Sequence, residues 1–491
     1  MVTNPFSKLP SISELLESPT LKALVDHIHP STIMSTARCV LDEVTAEAQH
    51  AAAERSLPNM SELVERIARR VIYGDVDPRS LHPVINATGC FYHPRLGPPP
   101  LASVAVEAIQ ATTHSYLAEV SPPRNIKKKP QDEPICHTEY ASCASKRFLE
   151  QIERSLHRMT GAEAVWICCD EGPAVYAICK SLCTGTGAGG LIVARMDMIR
   201  RSNECCLPDL IRETTGHWEE VGTIDRVTID DYRVAIEDEA GAFGDLEFPE
   251  VLFYVEPMRT SEPSVADRAT IAELATLKRK HDMTLVCELG AASLVDLTKY
   301  GIEGVPNAKQ AITDGADLVV MNVELLGVPR CAIVLGSKKV LEKVRHRNMV
   351  TQLAPTPGES TLAALAAVLT DYRSTETLVR TVPILELLSV SAENLKNRAE
   401  RLAPQLAILP EIESATPVEA TLVFRATVPT WKIVLQPKGM SARELATKLA
   451  KADPGIVVGI EEETITLDLR TIFARQDVEI FGIFEKVFGI V

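Results

Sequence analysis

Between about residues 79 and 345, short apolar runs alternate with helical patterns, and no other feature of the chain restricts its fold as much. The runs are Ala164-Val-Trp-Ile-Cys168, Gly190-Leu-Ile-Val-Ala194, Val251-Leu-Phe-Tyr-Val255, Thr284-Leu-Val-Cys287, Leu318-Val-Val-Met321 and Ala332-Ile-Val-Leu335. Each is apolar almost from end to end, so a strand formed there must be buried on both faces. Strands of that kind, separated by helices, predict an α/β domain around a mainly parallel sheet. The stretch Ser121-Pro-Pro-Arg-Asn-Ile-Lys127-Lys128-Lys129-Pro130 interrupts the alternation and reads as a surface loop.

Two further regions flank this one, as expected for 491 residues, which exceed what a single core usually supports. Residues 1–78 read as a helical domain: Ser11-x-x-Glu14 and Asn59-x-x-Glu62 are capping-box patterns that open apolar helical stripes. Residues 346–491 read as a compact α+β domain, with a helix near Ile384 to Leu402, strands Leu422 to Ala426 and Lys432 to Leu435, and a helix from Ser441. A hairpin follows, with its strands flanking Glu461-Glu462-Glu463.

The net charge of −15 repels nucleic acid at long range, so any RNA contact has to come from a local basic patch such as Arg124 with Lys127, Lys128 and Lys129. A solvated charge run is the commoner role for such residues. The start has no basic region followed by an apolar one, and no run of about 18 apolar residues occurs. A cytoplasmic protein without a membrane span is expected. Twelve cysteines in so long a chain read as reduced thiols and not as a disulfide framework.

Several segments together resemble the bacterial L-seryl-tRNA(Sec) selenium transferase family, within the fold-type-I pyridoxal-phosphate superfamily. They are Leu9-Pro-Ser-Ile-Ser13, Val84-Ile-Asn-Ala-Thr-Gly89, Thr160-Gly-Ala-Glu-Ala164, Leu207-Pro-Asp-Leu-Ile211, Glu220-Val-Gly-Thr223, Glu288-Leu-Gly-Ala-Ala-Ser-Leu-Val-Asp-Leu297, Leu325-Leu-Gly327 and Thr361-Leu-Ala-Ala-Leu365. The resemblance implies a fold-type-I large domain and at least a homodimer. It also implies pyridoxal phosphate as cofactor, selenium transfer onto serine carried by a tRNA, and tRNA binding through the N-terminal domain.

The departures from the family pattern fall at its chemical positions. The lysine ahead of Leu325-Leu-Gly327 is replaced, with Glu324 at or next to its place, and no lysine occurs between Lys309 and Lys338. The turn that holds the cofactor phosphate in the family reads Cys169-Asp170-Glu171-Gly172-Pro173, and Glu288 stands where the family pairs an Asp with the pyridinium nitrogen. A carboxylate beside a phosphate at 4 Å is repelled by about 4 kcal/mol at an effective dielectric near 20. The substrate-pocket candidates are His93, Arg95, Arg200 and Arg201. For Glu324 the plainer role is a solvated carboxylate or a partner of Arg330, and a lone histidine such as His93 is more often structural.

Carrying the motifs over would also gather the thiols of Cys90, Cys169, Cys206, Cys287 and Cys331 around one cavity, a weak candidate for a soft metal or a redox site. Limited alkylation is then expected to label one or two of these five thiols before Cys39, Cys179 or Cys183. Ordinary packing of Cys as a small hydrophobe is the competing explanation. The reading that follows is a divergent selenium-transferase-like protein without cofactor, non-catalytic or redirected to binding a ligand, a tRNA or a partner. The alternatives are a working selenium transferase and a thiolate metal or redox site.

Overall fold

The computed structural model describes the chain except residues 1–9, 26–27, 51–57, 74–82, 115, 118–142, 184–189, 199–206, 215–216, 238–249, 257–267, 347–351, 373–374, 425 and 491. The Lys127 to Lys129 loop, Arg124, Arg200, Arg201 and Cys206 lie outside the described residues.

The amino-terminal helices Ile12–Leu16, Pro19–Val25, Pro30–His50 and Met60–Tyr73 enclose their own core of Leu15, Leu21, Ile33, Val40, Leu63 and Ile67. Both capping boxes form. Glu14 accepts the Ser11 amide at 2.7 Å and Ser11 Oγ accepts the Glu14 amide at 3.2 Å; Asn59 and Glu62 exchange the same bonds at 3.0 and 2.8 Å. On the last helix Arg66 and Arg70 both pair with Glu43.

Beyond this unit the strands are β1 (Val84–Ala87), β2 (Ala164–Cys168), β3 (Leu191–Ala194), β4 (Trp218–Val221), β5 (Val251–Val255), β6 (Thr284–Gly290), β7 (Leu318–Asn322) and β8 (Ala332–Gly336). The tail adds β9 (Ile412–Phe424), β10 (Ala426–Pro437), β11 (Gly455–Glu461) and β12 (Thr464–Asp468). Seven strands form the large sheet in the order β2-β8-β7-β6-β5-β3-β4. Pairs among β7, β6, β5, β3 and β4 are parallel, and β8 runs antiparallel to both of its neighbours.

Successive residues of these strands enter two different cores. Leu285, Cys287, Val319, Met321, Ile333 and Leu335 face one. Val286, Leu318, Val320, Ala332 and Val334 face the other, against Ala174 and Ile178 of the Glu171–Leu182 helix. Each buried Val, Leu or Ile contributes on the order of 1.5–3 kcal/mol, against a strand-propensity range of about 1 kcal/mol. Two-sided burial therefore fixes these strands, which is why continuous apolar runs mark them so well in the sequence.

The tail follows a different pattern. Its sheet has the order β1-β11-β12-β10-β9, and Ile85 and Ala87 pack in its core with Leu395, Leu435, Leu467 and Phe484. Strand β1 of this motif is thus built into the carboxy-terminal sheet, although the sequence places it within the 79–345 region expected to form the large domain. The β9–β10 hairpin pairs from Ile412 to Pro437 and is far longer than the two expected strands, because residues Glu413 to Thr421, five of them polar, are mostly solvent-facing and form no continuous apolar run. The helix expected near Ile384 to Leu402 is two helices, Pro383–Ser389 and Ala392–Ala407, broken where Ser391 caps the second by accepting the Asn394 amide.

Candidate functional site

Because β3, β5, β6 and β7 are parallel, their carboxyl ends lie along one edge of the sheet, the place where α/β folds of this kind bind ligands. β2 runs in the same sense, since two antiparallel pairings through β8 separate it from β7. Glu288 stands near the end of β6, in register with Val320 of β7, and is buried. Its carbonyl accepts the Glu256 amide at 2.7 Å. Glu324 lies two residues past the end of β7, in the 3-10 turn Glu324–Leu326. Both carboxylates therefore belong to the same edge of neighbouring parallel strands. Tyr92, which had no signal in the sequence, donates its hydroxyl to the Glu324 carbonyl at 2.8 Å.

The start of the Glu171–Leu182 helix meets this edge. Asp170 is its N-cap, extended at φ −161° and ψ 165°, and accepts the Glu171 amide at 2.9 Å. Arg330 grips the same carboxylate through Nε at 3.0 Å and Nη2 at 2.8 Å. That pairing engages the arginine that the sequence offered as a partner for Glu324. Glu171 is buried, and its Oε2 accepts from Asn322 Nδ2 at 3.3 Å, while Asn322 Oδ1 accepts the Glu324 amide at 3.1 Å. Asn322 thus links the two acidic positions 171 and 324 through one amide side chain, a role invisible in a strand-end residue of unremarkable sequence.

Further along the edge a buried ion pair holds the segment after β3. Asp197 receives Arg268 Nη1 at 2.9 Å and Nη2 at 2.8 Å, and Arg268 also donates to the Val255 carbonyl. The guanidinium carbon sits 4.7 Å from the centre of the Tyr254 ring, whose hydroxyl donates to Glu256 at 2.8 Å. Burial, with the Glu256 carboxylate beside it, pushes the Tyr254 phenol up. Asp197 lies in the loop directly after β3, and nothing in the sequence announced Arg268 as its partner. Arg195, in the same loop, is exposed and pairs with Glu220 at 3.3 Å.

The remaining expected pocket residues are placed as follows. His93 and Arg95 occupy a tight turn in which His93 Nδ1 accepts the Arg95 amide at 3.3 Å, with Arg95 exposed. Among the thiols Cys90 is exposed and Cys169 half-buried, whereas Cys287 and Cys331 are fully buried. Burial pushes the Cys331 thiol up to about 12 and raises Cys287 as well, so neither is a thiolate at neutral pH. Among the described residues no group of three or more His, Cys, Asp or Glu is arranged to hold a metal. A cleft of about 590 Å³ is lined by none of these residues, but by others that include Tyr300, Arg380, Glu386 and Arg475.

A seven-stranded, mainly parallel sheet with one antiparallel strand, helices on both faces and an α+β tail is the architecture of the fold-type-I pyridoxal-phosphate transferases. D-glucosaminate-6-phosphate ammonia-lyase shares the fold with a TM-score of 0.54 at 17% identity, over 84% of this chain and 96% of that one. A sequence model of the L-seryl-tRNA selenium transferases matches residues 135–473, and the chain belongs to that family. It is 26% identical to L-seryl-tRNA(Sec) selenium transferase of Carboxydothermus hydrogenoformans over 482 residues, 95% of this chain and 94% of that protein. The Geobacter sulfurreducens enzyme of the same name is 25% identical, with 95% and 96% covered.

Proposed function

We propose that this chain is a selenium-transferase-family protein that does not hold pyridoxal phosphate and acts by binding. The observation that carries this is the start of the Glu171–Leu182 helix. In this fold a helix N-terminus at the sheet's carboxyl edge offers amide donors and a positive dipole end to the cofactor phosphate. Here the Asp170 carboxylate already takes the Glu171 amide, and the Glu171 carboxylate is buried beside it. Each negative charge near 4 Å opposes a phosphate by about 4 kcal/mol at an effective dielectric near 20. Pro173 removes one amide donor from the first turn. At the end of β7, the position of Glu324, there is no amine for covalent attachment, and the chain has no lysine between Lys309 and Lys338. The residues do not fit the cofactor.

The competing reading, a working L-seryl-tRNA(Sec) selenium transferase, draws on family membership and on the carboxylate that Glu288 keeps at the end of β6. It requires an amine from outside the segment 310–337. An absorbance titration of the full-length protein with pyridoxal phosphate, followed by borohydride reduction and peptide mapping, separates the two. The binding reading expects no saturable absorbance near the edge of the visible range and no site-specific reduced adduct. A single lysine labelled stoichiometrically would overturn it in favour of the working enzyme.

A further inference from the structure

The ladder between β2 and β8 ends with Cys168 opposite Ala332. Continued by one step, its antiparallel register sets Cys169 opposite Cys331, and by two steps Asp170 opposite Arg330. The side chains of the second pair do meet, since Arg330 holds the Asp170 carboxylate with two bonds at 3.0 and 2.8 Å. The Asp170 backbone is still extended at φ −161° and ψ 165°. The two segments therefore stay together beyond the strand ends at Cys168 and Ala332, and Cys169 and Cys331 lie between the last ladder pair and the Asp170–Arg330 contact. The Cys169 amide donates to the Pro355 carbonyl at 2.8 Å instead of across to β8. This is the arrangement of a non-hydrogen-bonded cross-strand position, where opposed Cα atoms approach to about 4.5 Å.

Strand alternation carried one residue past the end of β2 would put Cys169 on the face that Cys331 occupies. Ile167, Ile333 and Cys331 enter the same core, whereas Cys168 and Ala332 enter the other. Disulfides need Cα atoms roughly 4.4–6.8 Å apart with Cβ atoms facing, and directly opposed residues of an antiparallel pair meet that need. Access is unequal: Cys169 is half-buried and Cys331 fully buried.

From this juxtaposition we propose that Cys169 and Cys331 form a redox-active dithiol that is oxidised by low-molecular-weight disulfides to a cross-strand bond tying the end of β2 to the start of β8. The Cys169 thiolate attacks one sulfur of the external disulfide, whose S–S bond breaks and releases one thiolate. Cys331 then gives up its proton and attacks Cys169 Sγ, forming the internal bond and releasing the second thiol. The protein dithiol loses two electrons and two protons, and the external disulfide becomes two thiols. The inference goes beyond the binding role and stands on the β2–β8 register alone.

The test uses the full-length protein and oxidised glutathione, followed by blocking with N-ethylmaleimide under denaturing conditions and peptide mapping. The expected product is a peptide carrying Cys169 linked to the peptide carrying Cys331, two hydrogens lighter than the separate peptides and released by dithiothreitol. In C331A, glutathione is expected to remain on Cys169, since the resolving thiol is gone. Because the map of the unaltered chain needs no substitution, a folding defect in C331A leaves the test intact. A Cys168–Cys169 link, glutathione persisting on Cys169 in the unaltered chain, or both thiols fully blocked by maleimide while exposed Cys39 or Cys90 is oxidised would each overturn the proposal.

Discussion

Asn322 and Glu171 are joined side chain to side chain, amide Nδ2 to carboxylate Oε2 at 3.3 Å, across the junction between the end of β7 and the first turn of the Glu171–Leu182 helix. The same Asn322 accepts the Glu324 amide through Oδ1. One neutral side chain thereby fixes the turn that carries Glu324 and gives a hydrogen bond to a buried acid.

Removing that amide should be costly. Asn322→Ala deprives the buried Glu171 carboxylate of one donor and the Glu324 turn of its acceptor, and about 1–3 kcal/mol of stability should be lost. Asn322→Asp should cost more than Asn322→Ala, because a second carboxylate would then face the first. Urea unfolding of the two variants measures both. Equal stability of the parent and Asn322→Ala would mean that this bond contributes nothing.

Supplying a lysine should not restore cofactor binding. Glu324→Lys alone is expected to give no saturable pyridoxal-phosphate absorbance, since Asp170 and Glu171 still oppose the phosphate. Glu324→Lys combined with Asp170→Asn and Glu171→Ala removes that opposition and should bind more tightly than Glu324→Lys. Tight binding by the single variant would show that the two carboxylates are not the obstacle.

The Asp197–Arg268 pair is nearly excluded from solvent, its side chains being 3% and 9% exposed. Arg268→Ala leaves the Asp197 charge without its bidentate partner and should cost about 3–5 kcal/mol. Replacing both, Arg268→Met with Asp197→Leu, should cost clearly less than the single change, because desolvation of the charges disappears with them. A double variant no more stable than the single one would contradict this account.

Gly89 takes φ +75°, and a Cβ there would come within 2.6 Å of Asp468 Oδ2, while the Gly89 amide donates to Thr471 Oγ1 at 3.1 Å. Gly97 has a similar φ of +73° but open space around it. Gly97→Ala should therefore show backbone strain alone, about 1–2 kcal/mol, and Gly89→Ala that strain plus the contact with a buried aspartate. Thermal or urea unfolding gives the difference. Equal losses would mean that Asp468 moves aside freely.

Alkylation of the native protein should reach exposed Cys39 and Cys90 first, half-buried Cys169 later, and Cys168, Cys179, Cys183, Cys287 and Cys331 only on unfolding. Burial, together with the Asp170 charge, raises the Cys169 thiol, so its labelling should accelerate as pH rises through and above 8. This order keeps Cys90 and Cys169 ahead of Cys179 and Cys183 but sets Cys287 and Cys331 with the buried thiols, because placement near a motif says nothing about which face of a strand a thiol occupies. Rapid labelling of Cys287 at neutral pH would contradict the burial that the sheet imposes.

The sequence by itself determined the large sheet and the family. Runs such as Val251 to Val255 and Leu318 to Met321 are apolar on both faces, and only a sheet covered on both sides can bury them. It also determined the amino-terminal caps, since Ser11 with Glu14 and Asn59 with Glu62 act within a single turn of helix. The tertiary structure decided whatever depends on residues distant in the chain. Arg268 reaches Asp197 across 71 positions, Arg330 reaches Asp170 across 160 and Asn322 reaches Glu171 across 151. Partners of this kind leave no periodicity for a local reading to detect. Likewise Ile85 and Ala87 joined the carboxy-terminal core, and Cys168 came to stand opposite Ala332 through the β2–β8 register. Strand pairing, which no single segment encodes, brought these residues together.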